Sequence, residues 1–114
     1  MHEMSLALSI VDRVKETASR EKAVRVMSVE IEVGSLAGVL ADSLRFCLDV
    51  AANDGGLAET EFRITETRGA GSCRICGATF AADSFLVTCP SCNSDEVSIS
   101  GGQELLIRSL TIED

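Results

Sequence analysis

Four of the five cysteines in this chain of 114 residues form two closely spaced pairs. Cys73 and Cys76 lie in "CRIC", Cys89 and Cys92 lie in "CPSC", and the whole pattern is C-x2-C-x12-C-x2-C. Each pair fits a tight turn that presents two thiolates to one ion, and two such turns complete a tetrahedral four-sulfur site. This spacing favours Zn(II). A rubredoxin-like iron centre uses the same ligands, and two redox disulfides are the weaker alternative.

A site with four protein ligands has no open position for a substrate, so the predicted zinc ion is structural rather than catalytic. Gly77 and Asn93 each follow the second cysteine of a pair, and both residue types tolerate the positive φ that turns backbone N–H groups toward the sulfurs. The segment between the pairs offers few core candidates, so metal binding should supply much of its folding energy. Those candidates are Phe80, Phe85, Leu86 and Val87.

The single histidine, His2, directly follows the start methionine and is a second candidate metal ligand. The α-amine of Met1, the backbone nitrogen of His2 and its imidazole can close adjacent chelate rings on one ion. Glu3 can add a fourth in-plane donor through its backbone nitrogen or its carboxylate. Nitrogen-rich square-planar coordination suits Ni(II) or Cu(II) rather than zinc. A merely solvated terminal histidine is the more common case, so local chemistry alone leaves both interpretations open.

Two helices and three strands are predicted outside the cysteine-rich segment. Residues 4–20 repeat apolar side chains at helical spacing, with Ser5 as a candidate cap. Residues 24–33 alternate, which predicts a strand with Met27, Val29, Ile31 and Val33 on its buried face.

The second helix is expected to begin at Asp42 or Ser43 and to stop within residues 53–56, "NDGG". Cys47 falls on its apolar stripe and is interpreted as a small buried hydrophobe, because no second histidine exists to activate it. Residues 60–67 and 104–112 are the remaining strands, the last with an ambiguous register.

Glycine and serine flank the four-cysteine segment at both ends, which marks it as an insert. The predicted fold class is therefore α+β: a small three-stranded sheet with two helices, interrupted by a zinc-ribbon-like domain with four cysteine ligands. The predicted boundaries are 1–68 and 103–114 for the outer domain and 69–102 for the insert.

The net charge of −8 argues against binding to nucleic acid or to an anionic membrane, which require clustered basic residues. No secretory leader is visible, and no apolar run approaches the ~18–20 residues of a membrane helix. A cytoplasmic location is expected, where cysteines stay reduced and serve as metal ligands or buried thiols.

Several segments resemble the HypA/HybF nickel metallochaperones of hydrogenase maturation, in the right order and over essentially the whole chain. They are "MHEMSLALSIVD" at the start, "VEIEVGSLAGVLADSLRFCLD" at 29–49, the two cysteine pairs, and "GGQELLIRSLTIED" at the end. The resemblance implies a small nickel domain of two helices and a three-stranded sheet, interrupted by a zinc domain.

The same resemblance assigns roles to named residues and implies partners. His2 is the expected nickel ligand, with Met1 and Glu3 completing the terminal site, and Cys73, Cys76, Cys89 and Cys92 are the expected zinc ligands. Ni(II) is then transient cargo. The implied partners are a nickel-handling GTPase and the large subunit of nickel-iron hydrogenase, with urease and its accessory proteins served by some members.

Two features depart from the family pattern. Asn93 stands where a glycine is usual, and no further histidine near the zinc domain is present to complete nickel binding. The alternative function is a zinc-ribbon adaptor for protein or nucleic acid, without a nickel role. The insert carries only Arg74 against Asp83, Asp95 and Glu96, which disfavours nucleic acid. An enzyme is not expected, since the sequence lacks a second catalytic group and an open metal site.

Overall fold

The computed structural model describes residues 3–114, and within them the chain forms two helices and two three-stranded sheets. In chain order the elements are α1 (Glu3–Arg20), β1 (Arg25–Gly34), α2 (Ala41–Asp54), β2 (Glu61–Thr67), β3 (Gly69–Cys73), β4 (Thr79–Ala82), β5 (Val97–Ser100) and β6 (Leu105–Glu113). The predicted α+β class is confirmed. Neither helix in this part of the chain is long and apolar enough to cross a membrane.

The first sheet has the strand order β2-β1-β6. β2 runs parallel to β1, and α2 makes the crossover between them, while β6 returns antiparallel on the other side of β1. Val29 at the centre lies opposite Phe62 on β2 and Leu110 on β6. The sheet is therefore completed only after the chain has passed through the second sheet, as an insert between β2 and β6 requires.

Both helices bury their apolar stripes in one core with the first sheet. The buried positions of α1 are those of the predicted helical repeat, and β1 supplies the fully buried centre. The cluster comprises Ala7, Ile10, Val11, Val14, Val26, Val29, Ile31, Val33, Leu44, Leu48, Ala51, Ala52 and Phe62. Cys47 packs partly buried against it, as a thiol that acts as a hydrophobe would.

Both predicted helix caps are wrong. α1 includes Glu3, so Ser5 lies inside the helix. α2 has Leu40 as its N-cap, without a capping side chain, so neither Asp42 nor Ser43 caps it. The predicted stop is confirmed, because α2 ends at Asp54 and is followed by Gly56 in the left-handed region, at φ 84°.

The predicted burial of Met27 is also wrong, because its side chain is 46% exposed. The pairing of β1 with β6 shifts register between Val26 and Ser28, and these two residues are buried instead. Such a β-bulge inserts one extra residue and reverses the inward and outward positions on one side of it. A simple alternation pattern carries no sign of that reversal.

The second sheet has the order β4-β3-β5 and a very small interior. The ring of Phe80 covers Gly71, where a Cβ would lie 2.5 Å from the ring. Phe85 and Leu86 are 56% and 94% exposed, so their predicted role as core residues is wrong. The buried residues between 69 and 102 are glycines, one alanine and two of the cysteines: Gly69, Gly71, Cys73, Ala82, Cys89 and Gly102.

The junction between the two sheets is closely packed. A Cβ on Gly69 would lie 2.6 Å from Leu36 Cδ1, and one on Gly102 would lie 2.6 Å from the backbone nitrogen of Gly69. The carboxylate of Glu104 accepts hydrogen bonds from the Thr67 hydroxyl, at 2.8 Å, and from the Gly102 N–H, at 3.1 Å. The junction glycines thus allow close backbone approach, in addition to any freedom that they give the chain.

Candidate metal centres

The structure brings the four paired cysteines together at one end of the second sheet. Their sulfur atoms all lie within 4.8 Å of one another, with Cys73 Sγ 3.6 Å from Cys92 Sγ and Cys76 Sγ 3.5 Å from Cys89 Sγ. A tetrahedral centre of zinc and four sulfurs, with Zn–S bonds of ~2.3 Å, requires sulfur–sulfur distances of about 3.8 Å. The four side chains therefore already have the spacing that a single tetrahedral ion needs.

Each cysteine pair lies in a tight turn that directs backbone N–H groups at a sulfur. In the first turn Cys73 Sγ accepts from the N–H groups of Ile75 and Cys76, both at 3.4 Å. In the second, Cys89 Sγ accepts from the N–H of Ser91, also at 3.4 Å. These contacts stabilise the thiolate form, which is the form that binds metal.

The residues after each pair take the predicted left-handed conformation. Gly77 has φ 79° and Asn93 has φ 64°, and their N–H groups donate to the carbonyls of Cys73 and Cys89. The two turns are thus built alike, although one has glycine and the other asparagine at this position. Asparagine is among the few residues with a side chain that adopt this conformation readily, which explains why Asn93 is accommodated.

Without an ion, the pKa values of the thiols are shifted in opposite directions. The Cys76 N–H, and to a lesser extent that of Ile75, lowers the pKa of the Cys73 thiol to about 6. The Ser94 N–H lowers the pKa of Cys92, but the hydrogen bond to the Cys73 sulfur and burial outweigh it and raise that pKa to about 12. Four thiolates at this spacing repel one another, and a bound divalent cation removes that cost by replacing the shared protons.

All five cysteines are free, and the paired sulfurs are too far apart to be disulfides. Cys73 and Cys89 are buried, whereas Cys76 and Cys92 are exposed. The cluster is therefore half accessible from solvent, as expected for ligands on turns at the end of a small sheet. The disulfide alternative has no support in this geometry.

Met1 and His2, the other predicted ligands, lie outside the described residues. Glu3 is described, and its Oε2 atom accepts a hydrogen bond from the Leu40 N–H at 3.4 Å. Leu40 is the N-cap residue of α2, so the Glu3 carboxylate occupies the end of that helix where unpaired N–H groups favour negative charge. The first turn of α1 is in this way held against the start of α2, a contact that no sequence pattern indicated.

A comparison with protein-family models finds one described as "Hydrogenase/urease nickel incorporation, metallochaperone, hypA", which matches residues 1–112. The chain belongs to the HypA family. The match includes the cysteine-rich segment and both flanking parts of the chain, so it covers the two sheets and the N-terminal residues together. A zinc-ribbon adaptor unrelated to nickel would not be expected to match in this way.

Individual HypA relatives agree with the family match. The chain is 45% identical to the hydrogenase maturation factor HypA of Chlorobaculum parvum over 113 residues, which are 99% of this chain and 100% of that protein. It is 46% identical to the protein of the same name from Chlorobium limicola, covering 100% of this chain and 98% of the relative.

The fold also matches a solved HypA structure. The solution structure of the Ni metallochaperone HypA from Helicobacter pylori aligns with a TM-score of 0.67, covering 99% of this chain and 98% of that one at 20% identity. At this identity the likeness shows the fold alone. It confirms the overall architecture of two helices and small sheets and does not test which residues bind metal.

Proposed function

We propose that this chain is a nickel metallochaperone, which binds Ni(II) at its N-terminus and delivers it during maturation of nickel-iron hydrogenase. Urease is a second candidate client. The observation that carries the proposal is the match of residues 1–112 to a family of nickel-incorporation metallochaperones. In this role nickel is cargo, and the chain itself catalyses no reaction.

The proposed nickel ligands are the α-amine of Met1, the backbone nitrogen and imidazole of His2, and one donor from Glu3. The Glu3 carboxylate already accepts the Leu40 N–H, which favours the Glu3 backbone nitrogen as the fourth donor. A backbone nitrogen in the first turn of a helix has no partner within that helix, so it remains available. The resulting four-nitrogen plane suits Ni(II), and Cu(II) would bind at least as tightly.

Cys73, Cys76, Cys89 and Cys92 are the proposed ligands of a resident Zn(II). Their sulfur spacing and the N–H groups aimed at Cys73 and Cys89 support this assignment. When bound, zinc would supply the closed tetrahedral centre that the small second sheet lacks as a core. We further propose that residues 69–102 form the zinc domain, and that residues 1–68 and 103–114 form the nickel domain.

Delivery requires partners, and the proposed ones are a nickel-handling GTPase and the precursor of the hydrogenase large subunit, in the cytoplasm. A direct test is radioactive nickel transfer between purified proteins. The nickel-loaded chain should pass its ion to the precursor faster than free chelated nickel does at the same concentration. An equal rate of incorporation from both sources would contradict the proposed delivery role.

Nickel affinity should depend strongly on pH. The imidazole, with an ordinary pKa of ~6.5, and the α-amine, at ~7.7–8.0, must both lose protons to bind the ion, and the backbone nitrogens must release their amide protons as they bind. Protons therefore compete more strongly as the pH falls, and affinity should drop steadily between about pH 8 and pH 6. Calorimetric titration across this range is the measurement, and a constant affinity would exclude this ligand set.

A further inference from the structure

The outer face of α2 exposes two apolar side chains one helical turn apart. Phe46 is 68% exposed and Val50 is 39% exposed, whereas Leu44 and Leu48 on the opposite face are 0% and 1% exposed. The inner stripe, which also includes Ala51 and Ala52, packs α2 against its own domain. Phe46 and Val50 therefore give the outer face of α2 a small apolar contact surface.

This apolar pair continues into a depression at the C-terminal end of α2. The depression has a volume of about 440 Å³, and Val50 belongs both to it and to the exposed face. Leu57, Ala58 and Phe62 contribute apolar surface to it. Its full lining is Asp49, Val50, Ala52, Asn53, Asp54, Leu57, Ala58, Thr60 and Phe62. A side chain inserted beside Phe46 would therefore enter a concave, partly apolar site.

The charges around this surface are predominantly negative. Asp42, Asp49 and Asp54 lie on α2, and within residues 3–114 neither Asp49 nor Asp54 forms an ion pair. The one basic residue of the helix, Arg45, donates to the carbonyl oxygen of Phe62 at 3.2 Å. The apolar pair is consequently bordered by three carboxylates and one guanidinium, so its surroundings stay net negative, and within residues 3–114 none of the three carboxylates forms an ion pair.

We propose that this α2 face docks a partner protein through an apolar side chain flanked by lysine or arginine. Carboxylates beside an apolar contact select a cationic partner and repel an acidic one. A second copy of this chain is disfavoured, because a two-fold symmetric contact through α2 would oppose its own carboxylates. The inference rests on the proposed delivery role, in which the partner is a protein that supplies or accepts nickel.

The position of the face suits that role. The N-cap residue of α2, Leu40, donates its N–H to the Glu3 carboxylate, and Phe46 lies six residues further along the chain, about 9 Å along the helix axis at 1.5 Å per residue. A partner seated on Phe46 and Val50 therefore binds the same helix that Glu3, one of the proposed nickel ligands, contacts. A contact of this small extent also suits transient binding, which a carrier that must release its cargo needs.

The test uses two variants and two matched controls, titrated separately with the purified GTPase and the purified large-subunit precursor of the same organism. Phe46→Ser should weaken binding of at least one of them by about 10-fold or more. Asp49→Lys should weaken the same complex and reduce its dependence on salt. Leu86→Ser removes an even more exposed apolar side chain elsewhere, and Glu21→Lys reverses a charge in the turn after α1. Both controls should bind within about two-fold of wild type.

Three results would overturn the proposal: unchanged affinity of Phe46→Ser for both proteins, no binding of wild type to either at low salt, or a self-association that Phe46→Ser abolishes. Circular dichroism and nickel calorimetry on each variant distinguish failure of the docking face from failure of the proposed function. Normal nickel uptake with unchanged partner affinity refutes only the docking face. Absence of nickel uptake by the wild-type chain refutes the proposed function itself.

Discussion

Cys89→Ser is expected to release the zinc ion and to unfold the second sheet while the first sheet and its helices stay folded. Cys89 is 1% exposed, and the residues buried beside it are mostly glycines, so little apolar surface holds this region together. Metal binding contributes on the order of 10 kcal/mol to the folding of small zinc domains. Zinc content should therefore fall from about one equivalent to about none.

Zinc is measured by elemental analysis after dialysis, and local folding by hydrogen exchange of the amides in β3, β4 and β5. Cys47→Ser is the matched control, because it removes a thiol that packs against the first core and lies far from the cluster in sequence. The control should keep its zinc and the protection of all three strands. Retention of zinc and protection by Cys89→Ser would show that the cluster is not a structural metal centre.

His2→Ala is expected to lose about one equivalent of Ni(II) without losing zinc or helix content. The imidazole supplies one of the four donors in the proposed plane, and no other histidine exists in the chain to replace it. The helix α1 keeps its whole buried stripe in the variant, so the fold should not change. Isothermal calorimetry measures the nickel stoichiometry, and elemental analysis measures the zinc.

Ser5→Ala is a suitable control for that variant, since Ser5 lies exposed inside α1 and caps nothing. It should bind nickel like wild type. If His2→Ala also binds nickel like wild type, the N-terminal site is refuted and nickel must bind elsewhere. Loss of nickel together with loss of zinc would instead indicate that the substitution had disturbed the four-cysteine cluster.

The parts of the structure that short-range patterns encode were predictable. The spacing of Cys73, Cys76, Cys89 and Cys92 indicated one four-sulfur cluster, because two tight turns can present their thiolates to the same point. The helical repeat of α1 and the alternation of β2 likewise indicated which face of each element is buried against the core. The structure confirms both, with Phe62 buried on β2 and Val14 buried on α1.

Two of the failures lie where the chain makes long-range contacts. Met27 turned outward because β1 and β6, far apart in sequence, pair with a bulge. Asp42 and Ser43 did not cap α2, whose N-cap residue Leu40 instead donates its N–H to Glu3, 37 residues earlier in the chain. Local propensity favours a serine or aspartate cap, but the helix starts before Asp42 and Ser43, at Ala41, so both lie within its first turn.

The exposure of Phe85 and Leu86 has a different cause. Apolar residues in a segment of ordinary size are expected to build its core, but here the tight turns and the four sulfurs occupy the interior. Residues whose burial depends on an ion or on a partner cannot be assigned from periodicity.

The central claim is that a free N-terminus and His2 hold Ni(II) in a square plane. Its most direct test is a nickel titration of the native chain followed by visible absorption spectroscopy, repeated on a chain with one residue added before Met1. The native chain should develop the d–d band of square-planar nickel, saturating at about one equivalent, and the extended chain should not. The same band in both proteins, or octahedral nickel in the native chain, would contradict the claim.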